Sequence, residues 1–188
     1  MNIRWPPSPL GLGTPLNLAL TSSRTREQFK RSWWLPLGMG LFVPLLMLAI
    51  DQVLFGGVSM QRVRELGSQP LPIRLLIVVY SGVTEELIYR LFAATTAAWL
   101  AYAILSRFQS HPKSLSQWIG IVIGAVLFGL AHVANLPDVA HPVLRAVTIN
   151  GVAGLFLGWL YWWHGLESAI LTHMAAIVVL YIVIPLFL

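Results

Sequence analysis

Five stretches of this chain, Met39–Leu54, Leu75–Tyr80, Trp118–Leu130, Val152–Trp163 and Ile170–Leu188, carry almost no charge. Apolar runs of roughly 20 residues are long enough to cross a bilayer as helices. A soluble helical core of the same length needs a charged outer face, and these segments have none. In lipid every backbone N–H and C=O must be satisfied within the protein, which leaves helices or a closed barrel. The unbroken runs select helices, so the expectation is an all-α, polytopic transmembrane bundle of about five to six helices. Composition agrees: 57% of residues are hydrophobic and 10% charged, against about 25% charged in a soluble domain. The absence of cysteine excludes disulfides, thiolate metal ligands and a cysteine nucleophile. The net charge of +5 does not indicate nucleic acid. The basic residues border the apolar runs, where they act as topology signals and lipid headgroup contacts.

Residues 1–32 contain four prolines and two glycines followed by TSSRTREQFKRS, and read as a basic, partly irregular arm. The bundle is expected over 33–188. Arg24, Arg26, Lys30 and Arg31 abut Trp33 and Trp34, the pattern of a cytoplasmic membrane boundary. Spans are expected at about 33–55, 73–106, 117–135, 143–163 and 166–187, with His164-Gly165 as the turn between the last two. A polar loop with Arg62, Arg64 and Glu65 follows the first span. The 73–106 segment is too long for one perpendicular crossing. It is either a tilted helix or two pieces that break near Ser81-Gly82. With the N-terminus inside, Arg4, Arg24, Arg26, Lys30, Arg31, Arg107 and Lys113 lie on the cytoplasmic side, and Arg62, Arg64, Arg74 and Arg145 on the other. This excess favours a cytoplasmic N-terminus, in a bacterial inner membrane.

The stretch VTEELIYRLF (83–92) places three charged groups where charge is costly. Each ionisable side chain at the bilayer centre costs about 2.5–3.5 kcal/mol on insertion scales. Glu86 and Arg90 are four residues apart and can pair on one helix face. Glu85 lies about 100° round the helix from Glu86 and has no local partner. An intramembrane ionisable group is a functional candidate by default. FGLAH (128–132) puts Phe128 and His132 on one face of the third span, and LTHMA puts His173 about two turns into the fifth. His111, His141 and His164 fall in loops and read as surface residues. A buried carboxylate suits general-base work on water, and imidazoles can hold that water or stabilise an oxyanion. Glu85, His132 and His173 are also a possible zinc set, although HExxH is absent. The residues alone point to a water-activating membrane site.

Three blocks also resemble a known family. EELIYR (85–90) is similar to the EExxxR block of the CPBP family, which includes the CAAX prenyl endopeptidases and bacteriocin-processing or immunity proteins. FGLAH resembles its FxxxH block. Gly154-x-x-x-Gly158, Leu160-Tyr161 and GLESAILTH (165–173) resemble its last block, giving a family-like core at about 73–177. The resemblance implies an intramembrane endopeptidase in which Glu85 activates water, Glu86 and Arg90 support it, His132 assists at the water and His173 stabilises the oxyanion. It implies a glutamate-dependent mechanism with no cofactor, zinc being the alternative. The expected partners are membrane lipid and a hydrophobic or lipidated peptide or protein substrate. The family commonly has a polar residue four after the last histidine, and Ile177 stands there. Asn150 or Asn135 would substitute for it. The rival reading is a non-catalytic membrane binding or immunity protein that keeps the fold.

Overall fold

The computed structural model describes residues 33–110, 112–135 and 140–188. The expected arm at 1–32 and His111 lie outside the described residues. The rest is helical: α1 (Trp34–Phe55), α2 (Val58–Gly67), α3 (Leu71–Glu86), a π-helical segment (Leu87–Ala94), α4 (Thr95–Leu105), α5 (Lys113–Ala131), α6 (Pro142–His164) and α7 (Leu166–Val178). A 3-10 turn (Val133–Asn135) follows α5, and a π turn (Val179–Val183) with a 3-10 turn (Ile184–Phe187) extends α7. Four helices are long and apolar enough to span a membrane: Trp34–Phe55, Lys113–Ala131, Pro142–His164 and Leu166–Phe187. The chain is an all-α integral membrane protein.

α3, the π segment and α4 form one continuous rod, about 50 Å long at 1.5 Å per residue. The single-helix alternative fits, and there is no break near Ser81-Gly82. Gly82 is instead a packing position, where an added Cβ would collide with Met174 of α7. The region read as a polar loop after the first span contains α2. Its boundary with α1 is made by Gly56 (φ 73°) and Gly57 (φ 78°), two left-handed conformations that glycine adopts without strain. The third span ends at Ala131, before His132. His141 is exposed, as read, but His164 is the last residue of α6. Its ring lies 5.1 Å from that of Trp159, so it is part of the packed helix end and not of a loop.

Small residues set the spacing of the bundle. An added Cβ at Gly124 of α5 would sit 2.9 Å from the Tyr89 carbonyl in the π segment. One at Gly154 of α6 would sit 2.8 Å from Ala125 Cα. Lipid tails supply no hydrophobic drive between helices, so close backbone approach through small residues is the available source of packing energy. The buried apolar cluster of Ala98, Ile121, Leu157, Leu160, Tyr161, Trp162 and Ala169 joins α4, α5, α6 and α7 on one side of these glycines.

A buried ion pair fastens α1, α2 and α6. Arg145 Nε donates to Asp51 Oδ1 at 2.8 Å, and Arg145 also donates to the Ser59 hydroxyl at 2.7 Å. The Ser59 backbone N–H donates to Asp51 Oδ2 at 2.6 Å. Arg145 therefore does not serve as a headgroup contact. Arg74 is similarly engaged, donating to the Tyr181 carbonyl at 3.1 Å. Two of the four cations assigned to the far side in the charge count are thus held by the protein.

Removing one member of a buried pair leaves the other charge uncompensated. Asp51→Ala is expected to lower stability by about 3–5 kcal/mol, read as a fall in unfolding temperature in detergent. Asp51→Asn keeps an acceptor for Arg145 and is expected to lose less. Equal melting of all three proteins would show that the pair is solvated.

Candidate active site

Glu85 and Glu86 close the α-helical part of the rod, and the π segment begins immediately after them. A π turn leaves a carbonyl short of its usual i+4 donor, and such turns occur often at functional sites. Here the Thr95 hydroxyl donates to the Arg90 carbonyl at 3.1 Å and pairs with the Tyr161 hydroxyl at 2.7 Å. The wider turn carries Tyr89 and Arg90, so local backbone geometry and side-chain placement are fixed together.

Glu86 and Arg90 form the expected pair, with Arg90 Nη1 3.1 Å from Glu86 Oε1 and both side chains removed from solvent. Arg90 also lies over the Phe128 ring, with Cζ 4.4 Å from its centroid, and donates at 3.4 Å to the Gly154 carbonyl. Glu86 has a second partner that helical spacing does not reveal. His173 Nδ1 lies 2.8 Å from the same Glu86 Oε1. A carboxylate paired with arginine can only accept, so Nδ1 carries a proton and Nε2 is left on the other side of the ring.

That other side faces Glu85. His173 Nε2 is 3.9 Å from Glu85 Oε2, and His132 Nε2 is 3.8 Å from the same oxygen. His132 Nδ1 is 2.8 Å from the Phe128 carbonyl, which again fixes the proton on Nδ1. The site therefore brings together Glu85, His132 and His173, the three residues singled out in the sequence, with one carboxylate oxygen and two imidazole nitrogens facing one gap. Both distances exceed a direct hydrogen bond. Glu85 Oε2 is shielded from solvent and makes no hydrogen bond. Among the described residues, no three His, Asp or Glu side chains are grouped to hold a metal ion.

The secondary candidates fare differently. Asn150 donates to the Ala146 carbonyl of its own helix at 3.3 Å and makes no bond to the cluster. Asn135 ends the 3-10 turn after His132, and its side chain lies outside the described residues. Ile177 is buried at 6% exposure. The residue that sequence reasoning undervalued is Phe128. Its ring centroid lies 4.7 Å from that of His132, 5.8 Å from that of His173 and 5.4 Å from that of Tyr89. With Arg90 above it, Phe128 is the common wall of the site. The FxxxH spacing marked its face but not these neighbours, which come from other helices.

Arg90→Ala removes the cation between Glu86 and Phe128. The buried Glu86 then keeps only His173 and Gly154 loses a donor, so a loss of about 3–5 kcal/mol is expected. Thermal unfolding in detergent measures it. Unchanged melting would mean that water reaches Glu86.

The sequence model of the type II CAAX prenyl endopeptidase Rce1-like family matches residues 67–179. No curated protein and no solved structure matches. The matched region is more than half of the chain and includes Glu85, Glu86, Arg90, Phe128, His132 and His173. The chain thus belongs to the Rce1-like family of type II CAAX prenyl endopeptidases, membrane-embedded proteases.

Proposed function

We propose that this protein is a glutamate-dependent intramembrane endopeptidase. The observation that carries the reading is the convergence of Glu85 Oε2, His132 Nε2 and His173 Nε2 on one gap at 3.8 Å and 3.9 Å. A water molecule in that gap can give one hydrogen to Glu85 Oε2 and the other to His132 Nε2. Glu85 takes a proton from this water as its oxygen attacks the peptide carbonyl carbon. His132 holds the water through Nε2. His173 in its imidazolium form is paired with Glu86 and can present an Nε2–H to the developing oxyanion. Arg90 and Phe128 keep that pair in place.

The reading takes no metal. The edge of a tetrahedral zinc site is about 3.3 Å, given metal–ligand bonds of about 2.0–2.1 Å. The wider separations around Glu85 suit hydrogen bonding through water. The substrate is a hydrophobic or lipidated peptide segment at the membrane, and lipid is the second partner. The protein is placed in a bacterial inner membrane with its N-terminus cytoplasmic, on the cation count and on the tryptophans at Trp33 and Trp34.

Glu85→Gln keeps the shape of the side chain and removes its basicity. Purified protein incubated with a library of hydrophobic and prenylated peptides, read by mass spectrometry, is expected to cleave. The variant is expected to lose at least the 10²–10⁴-fold typical of a general base while melting like the parent. A well-folded Glu85→Gln protein that still cleaves would remove Glu85 as base. A parent that binds peptides and cleaves none would favour the non-catalytic binding reading.

Metal analysis of cleaving protein is expected to give well under one equivalent of any transition metal. Stoichiometric zinc, with cleavage lost on chelation and restored on readdition, would reverse the metal-free assignment.

A further inference from the structure

Hydrolysis of a peptide bond needs donors for the carbonyl oxygen as it gains charge. His173 supplies one donor when its Nε2 is protonated, while Glu85 Oε2 and His132 Nε2 are acceptors, so the oxyanion still lacks a second donor. Asn150 is turned to its own helix, and Ile177 has no donor. One neutral donor with an unused hydrogen adjoins the cluster. Tyr89 is half-buried and follows Glu85 by one turn of the rod. Its charged neighbours are Glu85 and Arg90. Its ring meets Phe128 edge-on at 5.4 Å, and Phe128 in turn touches both His132 and His173. The buried Tyr161 hydroxyl has Thr95 as its partner, whereas the Tyr89 hydroxyl is not sealed from solvent. It has no partner among the described residues.

We propose that the Tyr89 hydroxyl is a catalytic donor that binds the carbonyl oxygen of the scissile peptide as it becomes an oxyanion. This rests on the reading of Glu85 as the base. In the step concerned, the water oxygen bonds to the carbonyl carbon and its proton passes to Glu85. The carbonyl π pair moves onto oxygen, and the phenol keeps its proton while donating a hydrogen bond. The interaction is strongest in the transition state, so its loss lowers kcat more than it raises KM.

The test uses full-length protein in detergent with a peptide carrying a prenylated cysteine near its C-terminus. A phosphinate analogue, with phosphorus in place of the carbonyl carbon next to that cysteine, mimics the tetrahedral state. Tyr89→Phe keeps the ring against Phe128 and removes only the hydroxyl. The expected result is a fall in kcat of roughly 10²–10³, unchanged KM, unchanged melting, and a comparable loss of affinity for the phosphinate but not for the peptide. A Tyr89→Phe protein within threefold of the parent in both kcat and phosphinate affinity overturns the proposal. So does a parent that does not prefer the phosphinate over the peptide. Tyr181, which also has Glu85 as a charged neighbour, is the control. Loss in Tyr181→Phe without loss in Tyr89→Phe moves the donor to the last helix and overturns the assignment. Glu85→Gln in the same assay separates the two readings. Retained cleavage there removes the base, whereas loss there with an active Tyr89→Phe removes only the phenol.

Discussion

The carboxylate of Glu86 is the interaction on which the rest depends. One oxygen meets both Arg90 and His173, and none of the three side chains is open to solvent. A lone carboxylate in that position would carry the full cost of burial. Two cationic or donor partners offset it, and they come from different helices. The contact between the rod and α7 is therefore electrostatic as well as steric. It also orients the His173 ring and decides which of its nitrogens faces Glu85. Glu85 has the opposite situation, with no hydrogen bond to Oε2. Adjacent residues of the same type thus differ, Glu86 being held by two partners and Glu85 Oε2 being left without a hydrogen bond.

What could be read in the sequence follows the range of each interaction. The Glu86–Arg90 pair is four residues apart, so helical periodicity finds it. The apolar runs give the spans because bilayer thickness fixes their length. Contacts across the chain have no local signature. The bond from His173 to Glu86 links residues 87 apart in sequence, and Asp51 and Arg145 are 94 apart. Helical spacing gave Glu86 its Arg90 partner but could not reveal its second one, and the charge count placed Arg145 at the interface. α2, with the sequence VSMQRVRELG, is too short and too polar to resemble a span, which is why it reads as loop. The grouping of Glu85, His132 and His173 was suggested by resemblance and by their shared membrane setting, and the geometry of the gap came only with the fold.

The two buried polar clusters differ in how tightly they are bonded. Asp51, Ser59 and Arg145 tie α1 and α2 to α6 with every contact between 2.6 and 2.8 Å. The Glu85 cluster is looser and retains unsatisfied atoms on Glu85, Glu86 and Arg90. Unsatisfied buried groups are costly, and among the described residues this cluster holds three such atoms, with others on Arg74, Trp162 and Glu167.

The π segment makes the site sensitive to chain length in a way that side-chain chemistry does not capture. Helical side chains are phased by residue count, at about 100° per residue. The π segment between Glu86 and Thr95 takes more residues per turn than the α-helix on either side. Deleting one residue there would let the backbone relax to ordinary α geometry and rotate everything beyond it against everything before it. α3 would keep its face toward α7, while α4 would turn its own face away from α5 and α6. Every residue of the cluster could remain in the sequence and the cluster would still be lost. In this fold the number of residues in one turn is as much a part of the site as the glutamates that precede it.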